Sequence, residues 1–400
     1  MISFELSEEH RAVEQTVRDW AGREVAPKIH DLDREHRFER GFLKGMADLH
    51  LLGICIPEEW GGAGLDYLSL GIVCEELEYV DTHLRVIMSV HVGLNCMTLW
   101  CWGSDDQKRK YLAPQARGEK IATYGLTEPN AGSDAVGIQS TAVRKGDRYV
   151  LNGEKVWISL ADVADHFIVF AWTDQEKKKN RDHSGLSAFI VERAFKGFSS
   201  YTIKEKWGIL AGNTGGFSMD NMEVPAENRL GQEGEGFRIA MFALENGRYT
   251  VAAGATGLIR ACLEASVRYA KERKTFGQLI GEHQLVKEMI AEMVSDYDAA
   301  RLLWLRAGWL KNEGRRNTRE TSLAKWFATV KSERAASDCV QIHGGNGYSD
   351  EYPAGRFYRN SKAAVIYEGT REIHKIMQAD YALGFRQDKP RRVELPPYKR

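Results

Sequence analysis

Residues 366–370 read Ile366-Tyr367-Glu368-Gly369-Thr370 and place a carboxylate between an aromatic side chain and a glycine. Such a carboxylate can be held close to a reacting carbon. Two other dense segments precede it in the chain: Gln341-Ile342-His343-Gly344-Gly345-Asn346-Gly347-Tyr348 and, far upstream, Tyr124-Gly125-Leu126-Thr127-Glu128-Pro129-Asn130-Ala131-Gly132-Ser133-Asp134. Each segment alone is a weak signal, so the interpretation depends on their order and separation.

The size and charge of the chain limit the classes of protein to which it can belong. Its 400 residues predict two or three domains, because single hydrophobic cores rarely grow beyond ~250–300 residues. The hydrophobic share of 43% and the charged share of 28% are those of an ordinary globular protein. The net charge is −1 and no long basic run is present. This balance argues against a nucleic-acid partner.

The cysteines and the chain start bear on the cellular compartment. None of the six cysteines forms a C-x-x-C pair, which favours reduced, buried thiols over disulfides or a metal site. The sequence predicts no apolar run of the ~18–20 residues that a membrane span needs, so no membrane is expected. Residues 1–7 lack signal or transit features. We therefore expect a cytoplasmic protein of a bacterium or archaeon, or a mature mitochondrial-matrix form.

The hydrophobic pattern changes twice along the chain and predicts a mainly α fold with a central β-domain. Residues 1–118 are predicted to be helical, with Ser7 as an N-cap and long helices over 68–79 and 85–102. Residues 119–232 contain short β-like runs separated by turn signals, and 174–184 is predicted to be a solvated hairpin tip. A helical period returns over 233–386, with long amphipathic patterns over 249–272 and 284–312. The polar tail, 387–400, contains three prolines and is predicted to be an extended arm or disordered.

The three segments, in this order, resemble the acyl-CoA dehydrogenase family of FAD flavoenzymes, from about residue 5 to about residue 385. The resemblance implies an N-terminal helical domain, a middle β-barrel domain and a C-terminal helical bundle. It also implies α,β-dehydrogenation of an acyl-CoA thioester to the 2,3-enoyl-CoA, with electrons passed to electron-transfer flavoprotein. A homo-oligomer is expected, as a tetramer or a dimer, with the tetramer favoured. A Rossmann domain is disfavoured, because the glycines of 231–236 have the wrong spacing for G-x-G-x-x-G.

The resemblance assigns an FAD site to residues from several segments. The loop after Tyr124 can present backbone N–H groups to a polar ring edge or a phosphate, and an Arg fork suits a pyrophosphate. In the family, the segment beginning at Arg273 serves a cofactor held mainly by the neighbouring subunit. Taken without the resemblance, these features also fit a strand-to-loop connection, a core Trp and a charged helix end. The implied cofactor residues are Tyr124, Leu126, Thr127, Ser133, Trp157, Ser159, Arg273, Phe276, Gln284, Gln341, Gly344, Gly345, Thr370 and Glu372.

Glu368 is the implied catalytic base. A thioester α-proton is weakly acidic, so the site needs a poised base and stabilisation of the developing enolate oxygen. Some branches of the family carry the base on a helix instead, and the corresponding residue here is Gly247. The remaining implied substrate-binding residues are Arg85, Ser133, Glu245, Arg248, Tyr367 and Gly369. For Glu245 and Arg248, a surface salt bridge is the alternative. No metal site is predicted.

Arg85 suggests the acyl group. A helix that lines an apolar pocket has little use for a cation, because an unpaired buried charge is costly. The segment around Arg85, together with Glu78, resembles the glutaryl-CoA dehydrogenase branch and its benzylsuccinyl-CoA relatives, although Val86 departs from it. This implies a dicarboxylic acyl-CoA substrate. The alternatives are a simple or cyclic acyl-CoA with Arg85 on the surface, an oxygen-using flavin oxidase or monooxygenase on the same fold, and a catalytically silent scaffold.

Overall fold

The structure is a computed structural model that describes residues 5–388 and 390–398. Helices at both ends flank a central region of strands, which confirms the predicted mainly α fold with a central β-domain. The exact domain boundaries given above stay a prediction. In the described residues the α-helices are α1 Glu8–Trp20, α2 Ile29–Arg34, α3 Gly41–Asp48, α4 Tyr67–Val80, α5 Thr82–Ile87, α6 Met97–Trp102, α7 Asp105–Gln107, α8 Ala113–Ala116, α9 Gln175–Lys179, α10 Gly236–Ala270, α11 Gln284–Asn312, α12 Thr318–His343, α13 Ala354–Ala364 and α14 Arg371–Ala382.

Local capping fixes the starts of several helices. The Ser7 side chain accepts a hydrogen bond from the His10 N–H, which confirms the predicted N-cap of α1. Asp66 caps α4 in the same way, by accepting from the Ser69 N–H. The first N–H groups of a helix have no partner within the helix, so these caps satisfy them and fix the residue at which each helix begins. The π-helical stretch Met88–Cys96 joins α5 to α6.

The central region is one eight-stranded sheet together with a separate two-stranded pair. Its hydrogen-bonded order is β6-β7-β3-β2-β4-β5-β8, and β1 pairs in parallel with β4. The pairing of β3 with β7 is interrupted between Val156 and Ile158, so Trp157 lies at a β-bulge. The strands in the described chain are β1 Ala122–Gly125, β2 Thr141–Lys145, β3 Arg148–Ser159, β4 His166–Trp172, β5 Leu186–Glu192, β6 Phe198–Thr202, β7 Thr214–Pro225, β8 Arg229–Leu230, β9 Lys274–Thr275 and β10 Gln278–Leu279.

Helix α10 is the buried centre of the helical part and packs against α4, α11 and α12. Small residues allow this close approach. A β-carbon at Gly254 would overlap the Glu78 carboxylate and the Arg85 side chain, and one at Gly257 would overlap the Glu75 backbone. The glycines of α10 therefore bring the first and last helical regions together at the candidate site.

The helical segment Thr82–Trp102 corrects one prediction from the sequence. The segment is 21 residues long and contains an 18-residue window with a mean hydropathy of 1.3, so by length and composition it could cross a membrane. However, 83% of this window is buried inside the protein. The statement that no apolar run approaches the length of a span was wrong, because the scattered polar residues of this stretch hid its average hydropathy. The core of a folded protein accounts for such a helix equally well.

Two predicted loops are more ordered than expected. The connection over 174–184 does join the antiparallel strands β4 and β5, but it contains α9. In the tail, the described residues 390–398 form no helix or strand and pack against the bundle. Arg391 and Arg392 pair with Glu245 and Glu235 of α10. The extended-arm alternative therefore describes this part of the tail.

Candidate active site

The loop that carries Glu368 follows α13 and ends at Thr370, which caps α14 by accepting from the Ile373 N–H. Glu368 and Gly369 both have positive φ angles, 56° and 101°. Such a backbone is costly for a residue other than glycine and persists only when its surroundings hold it. Two buried side chains do so: Arg248 Nε donates to the Glu368 carbonyl at 2.9 Å and Lys325 Nζ donates to the Gly369 carbonyl at 2.7 Å.

The Glu368 carboxylate points into the protein between two helical segments. Its Oε1 accepts a hydrogen bond from the Ser89 hydroxyl at 3.1 Å. Its Oε2 is buried and has no hydrogen-bond partner in the described part of the chain. This oxygen lies beside Gly247 of α10, where a β-carbon would overlap it. One oxygen is thus anchored, and the other is free to accept a proton.

Burial raises the pKa of Glu368 above its ordinary value of 4.5. The charges of Arg85, Lys325 and Arg248 and the Ser89 hydrogen bond oppose this shift, but they do not cancel it. A carboxylate with a raised pKa in a buried site is matched to general-base work near neutral pH.

Arg85 lies beside Glu368 in the interior, so its placement on the surface, one alternative from the sequence, is wrong. Its side chain is 1% exposed. Nε donates to Glu78 Oε2 at 2.6 Å, Nη1 donates weakly to the Ser89 hydroxyl at 3.5 Å, and Nη2 contacts the Tyr367 hydroxyl. Burial lowers the pKa of Arg85, but Glu78, Tyr367 and Glu368 together more than offset it and the net shift is upward. The Glu78 pKa is itself raised by burial.

Glu245 and Arg248 are also buried, so the surface salt bridge is wrong for both. Arg391 of the tail donates two hydrogen bonds to the Glu245 carboxylate, one of them from Nη2 to Oε1 at 2.9 Å. The Thr318 hydroxyl donates a third. Burial raises the pKa of Glu245, but the Arg391 hydrogen bond and charge leave it lower than usual. Within this chain, Glu245 therefore has a protein partner, whereas Arg248 contacts the base loop.

Sequence reasoning missed the polar groups beneath the loop. Lys325 and Ser322 lie on the buried face of α12, and Ser322 Oγ bonds to His374 Nδ1 at 2.8 Å. Burial and the charge of Lys325 lower the pKa of His374 to about 2, so this ring is neutral. The sequence did contain a signal. Lys325 has the helical spacing of small apolar residues such as Ala328, and this spacing places it on the buried face of the helix, not on the solvated face.

The loop after β1 and the end of β3 lie side by side. The Val156 N–H donates to the Thr127 carbonyl at 3.0 Å, and the Thr123 hydroxyl donates to the Ser159 carbonyl at 2.6 Å. Tyr124 and Leu126 are buried. Trp157, with φ of 60° at its bulge, leaves its indole 61% exposed. The strained backbone holds the large aromatic side chain of Trp157 on an open face, where a planar ring system could stack on it.

The other implied cofactor residues lie on an exposed surface. Arg273 follows α10, and Phe276 is 97% exposed with φ of 51°. The loop after α12 is adjacent, since Asn346 Nδ2 donates to the Tyr269 hydroxyl at 2.9 Å. Exposed members are Ser133, Arg273, Phe276, Gln284, Gln341, Gly344, Gly345 and Glu372. In the described chain, no contact brings Arg273 or Phe276 to Glu368. β-Carbons at Gly344 or Gly345 would meet nothing within 4 Å, so backbone is open to a ligand there.

Comparison with known proteins decides the family. Three family models match in succession: "Acyl-CoA dehydrogenase, N-terminal domain" over 7–119, the middle domain over 123–222 and the C-terminal domain over 234–383. The chain belongs to the acyl-CoA dehydrogenase family. It is therefore an oxidoreductase, and the cofactor of this family is FAD. The exposed indole of Trp157 and the open glycines at 344–345 fit such a group.

Individual members of the acyl-CoA dehydrogenase family match over almost the whole chain. The short-chain specific acyl-CoA dehydrogenase of Clostridium acetobutylicum is 41% identical over 94% of this chain and 98% of its own length. The glutaryl-CoA dehydrogenase of Desulfococcus multivorans is 39% identical over 96% of this chain and 99% of its own. A solved structure titled "Electron transferring flavoprotein of Acidaminococcus fermentans: Towards a mechanism of flavin-based electron bifurcation" matches with a TM-score of 0.93 and 41% identity, over 96% of this chain and 100% of that one.

Proposed function

We propose that this acyl-CoA dehydrogenase removes the α-proton of an acyl-CoA thioester with Glu368 as the base. The observation that carries the proposal is the buried, unpaired Oε2 of Glu368 beside Gly247. An ionised carboxylate with one anchored and one free oxygen can take a proton without reorganising. Gly247 leaves Glu368 as the only carboxylate at the two positions where the family carries its base.

FAD, when bound, supplies the acceptor for the hydride that leaves the β-carbon. Tyr124, Leu126, Thr127 and Ser133 would hold one part of it, and Trp157 with Ser159 would flank it. Thr370 and Glu372 lie at the start of α14, next to the base loop. Arg273, Phe276, Gln284, Gln341, Gly344 and Gly345 would serve the phosphate and adenosine portion, partly for a partner subunit.

The base loop also offers a donor for the thioester oxygen. Among the described residues, no group accepts a hydrogen bond from the Glu368 N–H. Arg248 fixes the carbonyl of the same residue, whose φ is 56°. This N–H would polarise the carbonyl as negative charge develops on it, which lowers the barrier to proton removal.

For the substrate, we infer a dicarboxylic acyl-CoA of the glutaryl or benzylsuccinyl type. Arg85 supports it, because a guanidinium lies buried next to the base with only a weak bond from Nη1. A distal carboxylate could complete this side of the fork. The short-chain or cyclic alternative has its own support: Glu78 already neutralises Arg85 from within the chain, so a neutral acyl group meets no unpaired cation.

A panel of acyl-CoA thioesters separates these possibilities. Purified holoenzyme is mixed anaerobically with glutaryl-, benzylsuccinyl-, butyryl- and cyclohexanoyl-CoA, and the visible absorption of the flavin is followed. Fast bleaching by the first two supports the dicarboxylic substrate, whereas fast bleaching by only the last two supports the alternative. No bleaching by any of them would contradict the dehydrogenase proposal. Oxygen consumption in air would identify an oxidase or a monooxygenase.

We further propose electron-transfer flavoprotein as acceptor and a homotetramer as assembly. The first proposal is supported by the similarity to a chain in a solved structure titled for an electron transferring flavoprotein. The second has support from exposed apolar side chains such as Phe276, Leu285 and Tyr348, which favour self-association, and the choice of a tetramer comes from the family resemblance. The cytoplasmic location also stays a prediction.

A further inference from the structure

We propose that Lys325 is a positioning residue of the reaction: its ammonium group clamps the base loop through the Gly369 carbonyl and keeps Glu368 ionised. The inference rests on the proposed role of Glu368 as the base. It concerns a residue of α12 that is distant in sequence from the loop it supports.

The surroundings of Lys325 differ from those of another buried lysine. Lys155 is equally buried but has a carboxylate partner, Glu128, at 2.7 Å. In the described chain, no carboxylate lies within ion-pair distance of Lys325, whose Nζ donates to the Gly369 carbonyl and lies 6.0 Å from the centre of the Tyr367 ring. A buried charge without an ion pair costs stability. The hydrogen bond to the Gly369 carbonyl and the nearby Glu368 carboxylate offset part of this cost.

The clamp acts on strained backbone. The carbonyls of Glu368 and Gly369 are held by donors from different helices, Arg248 of α10 and Lys325 of α12. Fixing both carbonyls fixes the two peptide planes on either side of Gly369, and the first of these planes is also the C-terminal side of Glu368, so the bonds restrict how the backbone can turn at the base. Releasing one plane would let the carboxylate swing away from the Ser89 hydroxyl that holds its Oε1.

Electrostatics give Lys325 a second effect. Titratable groups from several elements surround Glu368: Cys74 and Glu78 of α4, Arg85 of α5, Tyr124 of β1, Arg248 of α10, Lys325 of α12, Tyr367 of the base loop and His374 of α14. Burial lowers the pKa of Lys325 to about 7, although the Glu368 carboxylate acts in the opposite direction. The neighbouring arginines stay charged, whereas His374 stays neutral. Removing Lys325 therefore changes the charge near Glu368 without breaking an ion pair.

Three substitutions separate the two effects. Lys325→Met removes the donor and the charge, Lys325→Gln keeps a donor but no charge, and Lys325→Arg keeps the charge. The readout is the pH profile of kcat/KM, whose acid limb reports the pKa of the free enzyme's base. We expect Lys325→Met and Lys325→Gln to move this limb upward by roughly 0.5–1 pH unit and Lys325→Arg to leave it in place. Lys325→Met should also lower kcat by ~10-fold or more, because the loop loses its clamp.

The controls keep the result interpretable. Flavin content and thermal unfolding of each variant show whether it folds, and Lys325→Gln serves if Lys325→Met does not. An acid limb that stays at the wild-type pH in a folded, uncharged variant would overturn the proposal and leave Lys325 a structural residue. Glu368→Gln is measured in parallel. If it is inactive while the limb stays fixed, only the Lys325 proposal fails; if it is active, the assignment of the base itself fails.

Discussion

The carboxylate of Glu368 fills the space that a β-carbon at residue 247 would occupy. The glycine of α10 and the base on a distant loop are therefore complementary in shape. A helix glycine normally costs about 0.5–1 kcal/mol relative to alanine, so this one is kept at the expense of helix stability. Its position gives the first prediction.

Gly247→Ala should reduce kcat by ~10²-fold or more, because the added methyl group displaces the carboxylate by a distance that proton transfer does not tolerate. Flavin content should stay near that of the wild type. Gly22→Ala is the matched control, since a β-carbon there meets nothing within 4 Å. Equal activity of both variants would show that Glu368 can move aside, which would contradict the fixed geometry.

Glu368→Gln should retain FAD and acyl-CoA binding and lose ~10²–10⁴-fold in turnover. It should also change stability in a pH-dependent way. Because burial raises the folded-state pKa of Glu368 above its ordinary 4.5, ionisation destabilises the folded wild type as pH rises through that raised value. The variant should therefore unfold at a higher temperature than the wild type near pH 8, and the difference should vanish near pH 4. A lower unfolding temperature at pH 8 would disagree with the raised pKa.

Arg85→Gln should affect dicarboxylic and neutral substrates differently. If a substrate carboxylate binds the guanidinium, its loss costs roughly 3–5 kcal/mol and lowers kcat/KM for glutaryl-type thioesters by ~10²–10³-fold. The variant also leaves Glu78 buried without its partner. The control is therefore Arg85→Gln combined with Glu78→Gln, which removes both charges. The ratio of kcat/KM for a charged and a neutral thioester is the measurement, and an unchanged ratio in both variants would make Arg85 structural.

Arg273→Ala should weaken FAD retention and loosen the oligomer together. Arg273 is exposed, and the family resemblance implies that the cofactor it serves belongs partly to a partner chain. A ligand that binds only the assembled state stabilises the assembly by mass action. Flavin-to-protein ratio and mass by light scattering test this, with Arg11→Ala on α1 as a surface control. Full flavin and unchanged mass would contradict the shared site.

Arg391→Ala should destabilise the fold by about 2–4 kcal/mol, because it leaves the buried carboxylate of Glu245 without its partner; the partial exposure of Arg391, 21%, keeps the cost below that of a fully buried pair. Arg391→Ala with Glu245→Gln should recover most of the loss. The Glu245 pKa lies below its usual value, so this stabilisation is present above pH ~4.5 and fades as pH falls through the lowered pKa. Chemical unfolding at pH 7 and at pH 4 measures both effects.

The sequence predicted those features that depend on local pattern. The helix predicted over 284–312 is the observed Gln284–Asn312, because its apolar period is regular. The long helix predicted to begin at 249 begins at Gly236 instead, since two glycines and an Asn within 236–247 weaken the local signal. Of these residues, Gly247 makes room for Glu368, which lies far away along the chain, whereas a β-carbon at Gly236 would overlap the backbone of Leu186 and Ser187.

Features that depend on tertiary contacts could not be predicted. Whether Arg85 is buried depends on Glu78 and Tyr367 meeting it in space. A lysine within a helix usually faces water, so Lys325 gave no reason to expect a carbonyl of the base loop as its partner. In the tail, the prolines and charged residues gave no sign that Arg391 would pair with Glu245 of α10.

The apolar helical segment Thr82–Trp102 also affects how the chain must fold. Its burial depends on packing against α10, which begins only at Gly236. At a synthesis rate of ~5–20 residues per second, this apolar segment leaves the ribosome roughly ten to thirty seconds before α10 is complete. During that interval it presents to chaperones and to membrane-insertion machinery the features of a hydrophobic anchor. Because this segment is synthesised before α10, the nascent chain exposes apolar surface that the folded protein buries.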